Sequence, residues 1–131
     1  WSMEVAARHL DAAGGGTVVG VSSVAGDRGR AKNYWYGAAK AGFSEMLSGL
    51  RQKYARSAVR VVTVKPGFVA TRMTRDMNLS GPLVAQPEEV GEAVWHGVAT
   101  YTDVIYSRAI WRLVMAVITH LPEKAFKYTR F

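Results

Sequence analysis

The fold is decided around the stretch N-Y-W-Y-G-A-A-K-A, residues Asn33 to Ala41, which opens a run with apolar residues at helical spacing. A short β-branched run, T-V-V-G-V at 17–21, precedes this stretch, and a second, V-R-V-V-T-V at 59–64, follows it. A strand, a helix and a strand of these lengths form a right-handed crossover unit with parallel strands. The sequence therefore predicts an α/β fold built on a buried parallel sheet.

Residues that typically begin or end helices, together with the spacing of hydrophobic residues, predict where the other elements lie along the chain. The glycine triplet at 14–16 ends a first amphipathic helix, and a proline followed by two glutamates at 87–89 begins a later one. We expect the glycine-rich, charged loop at 22–32 to be exposed and mobile. The predicted order is helix 2–13, strand 17–21, loop 22–32, helix 34–56, strand 59–64, irregular lid 73–86, helix 87–101, strand 103–107, helix 109–120 and tail 121–131.

Composition indicates a globular chain. Its 131 residues are 49% hydrophobic and 21% charged, which fits one domain, 1–131, with an apolar and basic C-terminal helix and tail at 108–131. Cysteine is absent, so disulfides, thiolate nucleophiles and cysteine-ligated zinc are excluded. The amino-terminal residues carry charges and no uninterrupted apolar core, so we expect no signal peptide and a cytoplasmic location.

The net charge of +7 could suit nucleic acid or an anionic membrane surface. The basic residues are scattered from Arg8 to Arg130, with no stacking aromatic residues interleaved through a basic groove, so we expect no nucleic-acid partner. A cofactor phosphate or an anionic lipid is the favoured counterpart. Histidines occur singly, without a second ligand at a useful spacing, so no metal site is predicted.

Tyr36 and Lys40 lie four residues apart in the predicted helix, and this spacing stacks them on one helix face. An ammonium group one turn away from a phenol favours the phenolate, which makes such a phenol a usable general acid and base. Ser23 follows the first predicted strand, thirteen residues before the tyrosine. These three side chains are candidate catalytic residues, although a tyrosine and a lysine at this spacing alone are more often surface residues.

These residues resemble the short-chain dehydrogenase/reductase family, in which a strand ending in serine is followed by Y-x-x-x-K and then by a strand ending in P-G-x-V-x-T. The slots of the family pattern are filled in order by Ser23, Tyr36, Lys40, Pro66, Gly67, Val69 and Thr71. Three linked motifs are more specific than one.

The resemblance implies an NAD(P)-dependent oxidoreductase that transfers a hydride between nicotinamide and a ketone or secondary alcohol. It implies that Tyr36 moves the proton, Ser23 positions the substrate oxygen, and Lys40 assists the tyrosine and holds the nicotinamide ribose. The cofactor NAD(P)(H), with NAD and NADP both open, is expected to contact Tyr36, Lys40, Pro66, Gly67, Val69 and Thr71.

The sequence departs from the family pattern in one respect. The family's glycine-rich motif T-G-x-x-x-G-x-G has no match, and the glycine triplet at 14–16 ends a helix rather than opening one. The predicted fold is therefore the C-terminal part of a doubly wound, Rossmann-like parallel sheet flanked by helices, with the N-terminal cofactor-binding half missing. This departure keeps open an alternative function, a non-catalytic fragment that serves as an oligomerisation or interaction module.

Two expectations concern partners. The resemblance implies a homo-oligomer formed through the helices at 2–13 and 34–56. The helix at 109–120 is apolar around most of its circumference, which favours a core or subunit interface and leaves open an interfacial helix in peripheral contact with a membrane. The substrate is expected to be a small-molecule or lipid-linked carbonyl compound.

Overall fold

The computed structural model describes residues 2–77 and 81–129. Its secondary structure alternates between strands and helices, as the sequence predicts, and two short 3₁₀ helices lie at Val24–Gly26 and Arg72–Met77. Residues 78–80 of the predicted lid lie outside the described residues. The helices are α1 (Ser2–Ala12), α2 (Tyr34–Lys53), α3 (Pro87–Ala99), α4 (Ala109–His120) and α5 (Glu123–Phe126), and the strands are β1 (Gly16–Val21), β2 (Val59–Lys65), β3 (Phe68–Val69), β4 (Val84–Ala85) and β5 (Val104–Tyr106).

The main sheet has three parallel strands in the order β1-β2-β5. Val18 pairs with Val61 between β1 and β2, and Thr63 pairs with Val104 between β2 and β5. The central strand β2 is buried along most of its length, because its β-branched side chains have packing partners on both faces. The predicted α/β fold with a parallel sheet is confirmed.

Helices cover both faces of this sheet. On one face, Leu47 and Leu50 of α2 pack with Ala7 of α1 against Val18 and Val61. On the other face, the buried side chains of β2 and β5 pack against α3. The second, smaller sheet pairs β3 with β4 in parallel, just beyond the end of β2. The carboxyl ends of β1 and β2 therefore open towards the segments that carry the candidate site.

The sequence predicts that the loop at 22–32 is exposed, but the first part of this loop is buried. Its first part forms the 3₁₀ helix Val24–Gly26, and the two residues ahead of Gly26 are each 3% exposed. A Cβ at Gly26 would lie 2.7 Å from backbone atoms of α2, and a Cβ at Gly37 would lie 2.8 Å from Ala25 O. Glycine at these two positions allows the loop and helix to pack backbone against backbone, so the prediction is wrong for this part of the loop.

The C-terminal helix α4 contributes to the core. Trp111, Met115 and Ile118 are buried and pack with Val24 and Phe126. The interpretation of this helix face as core is confirmed, whereas peripheral contact of the helix with a membrane stays a prediction. Other apolar residues of α4 remain exposed, namely Ile110, Leu113 and Val117. Across residues 2–77 and 81–129, the helices are too short or too polar for any of them to cross a membrane.

Arg28 ties the loop at 22–32 to the end of the chain. Its Nη1 donates hydrogen bonds to Ile118 O at 2.7 Å and to Leu121 O at 2.5 Å, so it satisfies carbonyl groups left open at the end of α4. Its Nη2 donates to Glu123 Oε2 at 2.8 Å, and its guanidinium lies 3.9 Å from the ring centroid of Phe126. This arginine is therefore a packing and capping group rather than a solvated loop residue.

Candidate active site

Ser23 lies where β1 passes into the 3₁₀ helix, at the carboxyl edge of the sheet. Its Oγ accepts a hydrogen bond from Ala25 N at 3.1 Å and donates one to Pro66 O at 3.4 Å. The same carbonyl accepts a second hydrogen bond from Val24 N at 3.0 Å. Because these bonds join the loop to the end of β2, the serine is held between two neighbouring strands.

Tyr36 and Lys40 lie on one face of α2, as their spacing predicts. The Lys40 Nζ lies 5.7 Å from the centroid of the Tyr36 ring and donates a hydrogen bond to Val21 O at 3.0 Å. Tyr36 belongs to the first turn of the helix and is 43% exposed. The lysine thus joins the helix to the last residue of β1, next to the turn that carries Ser23.

Ser23 and Tyr36 line the same cleft, which has a volume of about 230 Å³. Most of its wall is apolar, with polar groups from the loop and from the start of α2. Of the predicted cofactor-binding residues, Tyr36 and Gly67 line it. Lys40 and Pro66 are not among its lining residues; Lys40 donates to Val21 O, and Pro66 O accepts from Ser23. The lining residues are Ser23, Val24, Ala25, Arg30, Asn33, Tyr36, Gly67, Phe68, Met73, Thr74 and Trp111.

The segment after β2 turns sharply and is fixed by Thr74. The Thr74 hydroxyl donates to Val69 O at 2.5 Å and accepts from Thr71 N at 2.9 Å. Thr71 itself is exposed, and neither it nor Val69 is among the described residues that line the cleft. Thr74, which the sequence motif does not include, lines the cleft in their place.

Trp111 forms a rigid part of the cleft wall. Its Nε1 donates a hydrogen bond to Leu83 O at 3.1 Å, and its ring meets Phe68 edge-on with centroids 5.6 Å apart. A side chain at Gly67 would collide with the indole, so glycine is required for this close approach. Sequence reasoning missed Phe68, Thr74 and Trp111 as lining residues. For Phe68 a signal existed, because it lies inside the P-G-x-V motif.

A buried charged network lies beside the site at the same edge of the sheet. Lys65, the last residue of β2, pairs with Asp27 at 2.5 Å, and their side chains are 16% and 8% exposed. The Tyr106 hydroxyl donates to the other carboxylate oxygen of Asp27 at 3.1 Å. Burial, and then the neighbouring carboxylate, raise the pKa of Tyr106 to about 12, so this phenol remains a donor at neutral pH.

The family model for short chain dehydrogenases matches residues 1–80, more than half of the chain. The chain belongs to the short chain dehydrogenase family. It is a homologue of NAD(P)-dependent oxidoreductases, and the matched residues include Ser23, Tyr36, Lys40 and the P-G-x-V-x-T segment.

Individual members of the short chain dehydrogenase family are similar over most of the chain. An uncharacterised oxidoreductase of Mycobacterium tuberculosis is 37% identical over 117 residues, which cover 89% of this chain and 47% of the relative. The cis-4-hydroxycyclohexanecarboxylate dehydrogenase of Sinomonas cyclohexanicum is 38% identical over 99 residues, covering 68% of this chain and 40% of the relative. The chain thus spans about half the length, or less, of these curated relatives.

A solved structure of a short chain dehydrogenase from Burkholderia cenocepacia in complex with NADP is also similar. It superposes with a TM-score of 0.78 at 25% identity, and the match covers 90% of this chain and 50% of that chain. The parallel sheet and its flanking helices are therefore those of a Rossmann-like member of the family.

The comparison with the short chain dehydrogenase family corrects one expectation from the sequence. The lack of a spaced glycine motif predicts that the N-terminal cofactor-binding half of the sheet is missing. The family model instead matches from residue 1, and β1 begins at the end of the glycine-rich run, at Gly16. The prediction is therefore wrong, because one short motif is a weaker test of architecture than a pattern spread over eighty residues.

Proposed function

We propose that this chain carries the catalytic site of an oxidoreductase that uses NAD(P)(H) to reduce a ketone or to oxidise a secondary alcohol. The observation that supports this most strongly is the shared cleft of Ser23 and Tyr36. The two hydroxyl groups come from separate elements, and the cleft is bounded by the Gly67 turn at the carboxyl end of β2. Open α/β sheets bind ligands at this edge.

Each of the three polar side chains has a separate task. Tyr36 gives a proton to the substrate oxygen during reduction and takes it back during oxidation, because it lines the cleft, carries a hydroxyl group and is 43% exposed. Ser23 hydrogen-bonds the same oxygen and orients it. Its own hydrogen bonds to Ala25 N and Pro66 O hold the serine in place before substrate arrives.

Lys40 acts beside the tyrosine. Its ammonium has three donors, of which one is given to Val21 O. The remaining donors can reach ribose hydroxyl groups of the cofactor, and the ammonium lies 5.7 Å from the centroid of the Tyr36 ring. The anchored lysine therefore links the cofactor to the proton donor.

The residues of the cleft fit a nicotinamide ring. A flat ring with a polar carboxamide suits a small cleft that has mostly apolar walls and a few polar groups, and Tyr36 and Gly67 would contact it there. The family motif implies that Lys40, Pro66, Val69 and Thr71, which do not line the cleft, would hold the rest of the nicotinamide ribose end. When bound, the nicotinamide supplies or accepts the hydride. The similar structure from Burkholderia cenocepacia holds NADP, and that similarity supports NADP(H) as the first cofactor to test.

A compact ring compound is the substrate class that we favour. The Sinomonas relative is named for a hydroxycyclohexane carboxylate, and the apolar surface that Phe68 and Trp111 give to the cleft suits a compact ring. The motif V-S-S-V-A-G-D-R-G-R also resembles bacterial members akin to decaprenylphosphoryl-2-keto-erythro-pentose reductase, which implies a lipid-linked carbonyl compound instead. The burial of Trp111, Met115 and Ile118 removes the apolar face that would receive a lipid tail, so the compact substrate is preferred.

The proposed function is tested by cofactor oxidation in the presence of cyclic ketones. We expect the purified chain to oxidise NADPH or NADH with cyclohexanone or 4-oxocyclohexanecarboxylate, measured by the loss of nicotinamide absorbance. Ser23→Ala should lower kcat about 10²–10³-fold, because it removes the hydroxyl group that shares the cleft with Tyr36 and that would turn from Pro66 O to the reacting oxygen. Equal rates for both proteins would contradict the catalytic assignment. Cofactor binding without any turnover would favour the non-catalytic alternative.

We further propose a homo-oligomer that forms through α1 and α2. These helices expose Val5, Trp35 and Met46, and the exposed apolar surface supports a subunit contact. Trp35→Glu combined with Met46→Glu should convert the wild-type oligomer into a monomer at micromolar concentration in sedimentation velocity. Trp95→Glu, which replaces an equally exposed tryptophan on α3, is the control and should leave the oligomer intact. A monomeric wild-type protein would contradict the proposal.

A further inference from the structure

Asn33 stands at the N-cap of α2 but does not cap the helix. Its backbone carbonyl accepts from Gly37 N at 2.8 Å, as an N-cap carbonyl should, yet its side chain makes no capping hydrogen bond. Asparagine is favoured at this position because its side-chain oxygen ordinarily accepts from an N–H of the first turn. The carboxamide of Asn33 therefore forgoes the local partner that its position offers.

The side-chain oxygen of Asn33 is also buried. Among the described residues it has no hydrogen-bond partner, and it has almost no contact with solvent. Buried carbonyl oxygens nearly always have a partner, because losing water without replacing the hydrogen bond is unfavourable. A ligand that donates a hydrogen bond would remove this cost.

The position of this oxygen points to the substrate. Asn33 lines the same cleft as Ser23 and Tyr36, and it directly precedes the first turn of α2, to which Tyr36 belongs. Among the other polar lining groups, the Thr74 hydroxyl is occupied by Val69 O. Phe68 and Trp111 contribute apolar surface to the same cleft.

We propose that Asn33 is a specificity-determining residue, whose side-chain oxygen accepts a hydrogen bond from a hydroxyl group within two carbons of the reacting carbon. This inference rests on the proposed function of the site. Because Asn33 and Tyr36 line one cleft of about 230 Å³, a substrate held by Tyr36 at its carbonyl would meet Asn33 with a group close to the reacting carbon. The substrate class is thus a compact hydroxyketone, and the product is a diol.

The inference is tested by comparing 2-hydroxycyclohexanone with cyclohexanone as substrates. Wild-type protein should prefer the hydroxyketone by at least about tenfold in kcat/KM, with most of the difference in KM, because the added hydrogen bond satisfies a buried acceptor. Asn33→Leu should lower this preference to less than about threefold. Asn33→Asp keeps an acceptor of the same shape and should retain the preference.

A second measurement does not depend on turnover. In the presence of cofactor, trans-cyclohexane-1,2-diol should raise the melting temperature of wild-type protein more than cyclohexanol does, and Asn33→Leu should abolish the difference. If wild-type protein responds equally to both alcohols, or if Asn33→Leu keeps the preference for the diol, the inference is overturned whether or not the protein is active. Absence of turnover with a normal diol response would instead count against the proposed function alone. If Asn33→Leu fails to fold, the difference between the melting temperatures of wild-type protein with the diol and with cyclohexanol still tests the inference.

Discussion

Tyr36→Phe should lower kcat for ketone reduction about 10²–10⁴-fold and leave cofactor affinity near the wild-type value. The substitution removes the hydroxyl that transfers the proton but retains the aromatic ring beside Lys40. Because Tyr36 is 43% exposed and its hydroxyl makes no described hydrogen bond that holds the fold together, stability should change little. Steady-state kinetics with the most active ketone, together with a fluorescence titration of NADPH, measure the two effects separately.

Tyr34→Phe is the matched control for this experiment. Tyr34 belongs to the same first turn of α2, is also exposed, and is not among the described residues lining the cleft. Its substitution should leave kcat within about twofold of wild type, since surface changes of this kind have small effects. If Tyr36→Phe also stayed within a few-fold of wild type, the assignment of the proton donor would be wrong.

The sequence predicts the sheet and helices well because their signals are local. Val59–Lys65 is a β-branched run buried on both faces, and its composition alone excludes a surface strand. Ala109–His120 agrees with its predicted bounds, since an uninterrupted apolar helix pattern begins and ends there. Helix α2 ends three residues earlier than predicted, at Lys53, because the apolar spacing continues through Tyr54 although the backbone has left the helix.

Glycine is the main reason why the loop after β1 could not be predicted. The same residue that makes a loop flexible also permits close contact between backbones. At Gly26 and Gly37 the second property applies, because these residues bring the 3₁₀ helix against α2. Sequence alone does not distinguish the two uses, since the deciding contact lies on another element.

For the candidate site, the motif predicts the polar residues but not the walls. Ser23 and Tyr36 share a cleft because a strand end and a helix start meet there, which the strand-helix-strand order already implies. Trp111 lies far along the chain from both and enters the cleft only through the packing of α4. Thr74 and Asn33 are likewise selected by tertiary contacts, and their residue types carry no distinctive local signal.

Lys65→Met should destabilise the protein by about 3–5 kcal/mol, the largest stability effect that we expect from a single substitution. The change removes the cation from a pair whose side chains are only 16% and 8% exposed, and it leaves the Asp27 carboxylate buried beside the Tyr106 hydroxyl. Breaking a buried ion pair by removing one partner is costly, because the remaining charge has lost both water and its counterion. Urea unfolding followed by circular dichroism measures the change in the free energy of unfolding.

The Lys65–Asp27 pair lies next to the candidate site, so the loss of stability in Lys65→Met also tests how the Ser23 loop is held. Asp27 follows the 3₁₀ helix that begins after Ser23, and Lys65 directly precedes Pro66, whose carbonyl accepts the serine hydrogen bond. Asp27→Asn combined with Lys65→Met removes both charges and should recover part of the lost stability, so that the double-mutant cycle shows a clear coupling energy. Lys53→Met is the matched control, since its partner Glu4 is exposed and the unfolding midpoint should not move. If Lys65→Met proved as mild as Lys53→Met, the lysine and aspartate would not form a buried pair in solution, and the serine loop would be held by its hydrogen bonds to Pro66 O and by the contacts of Arg28.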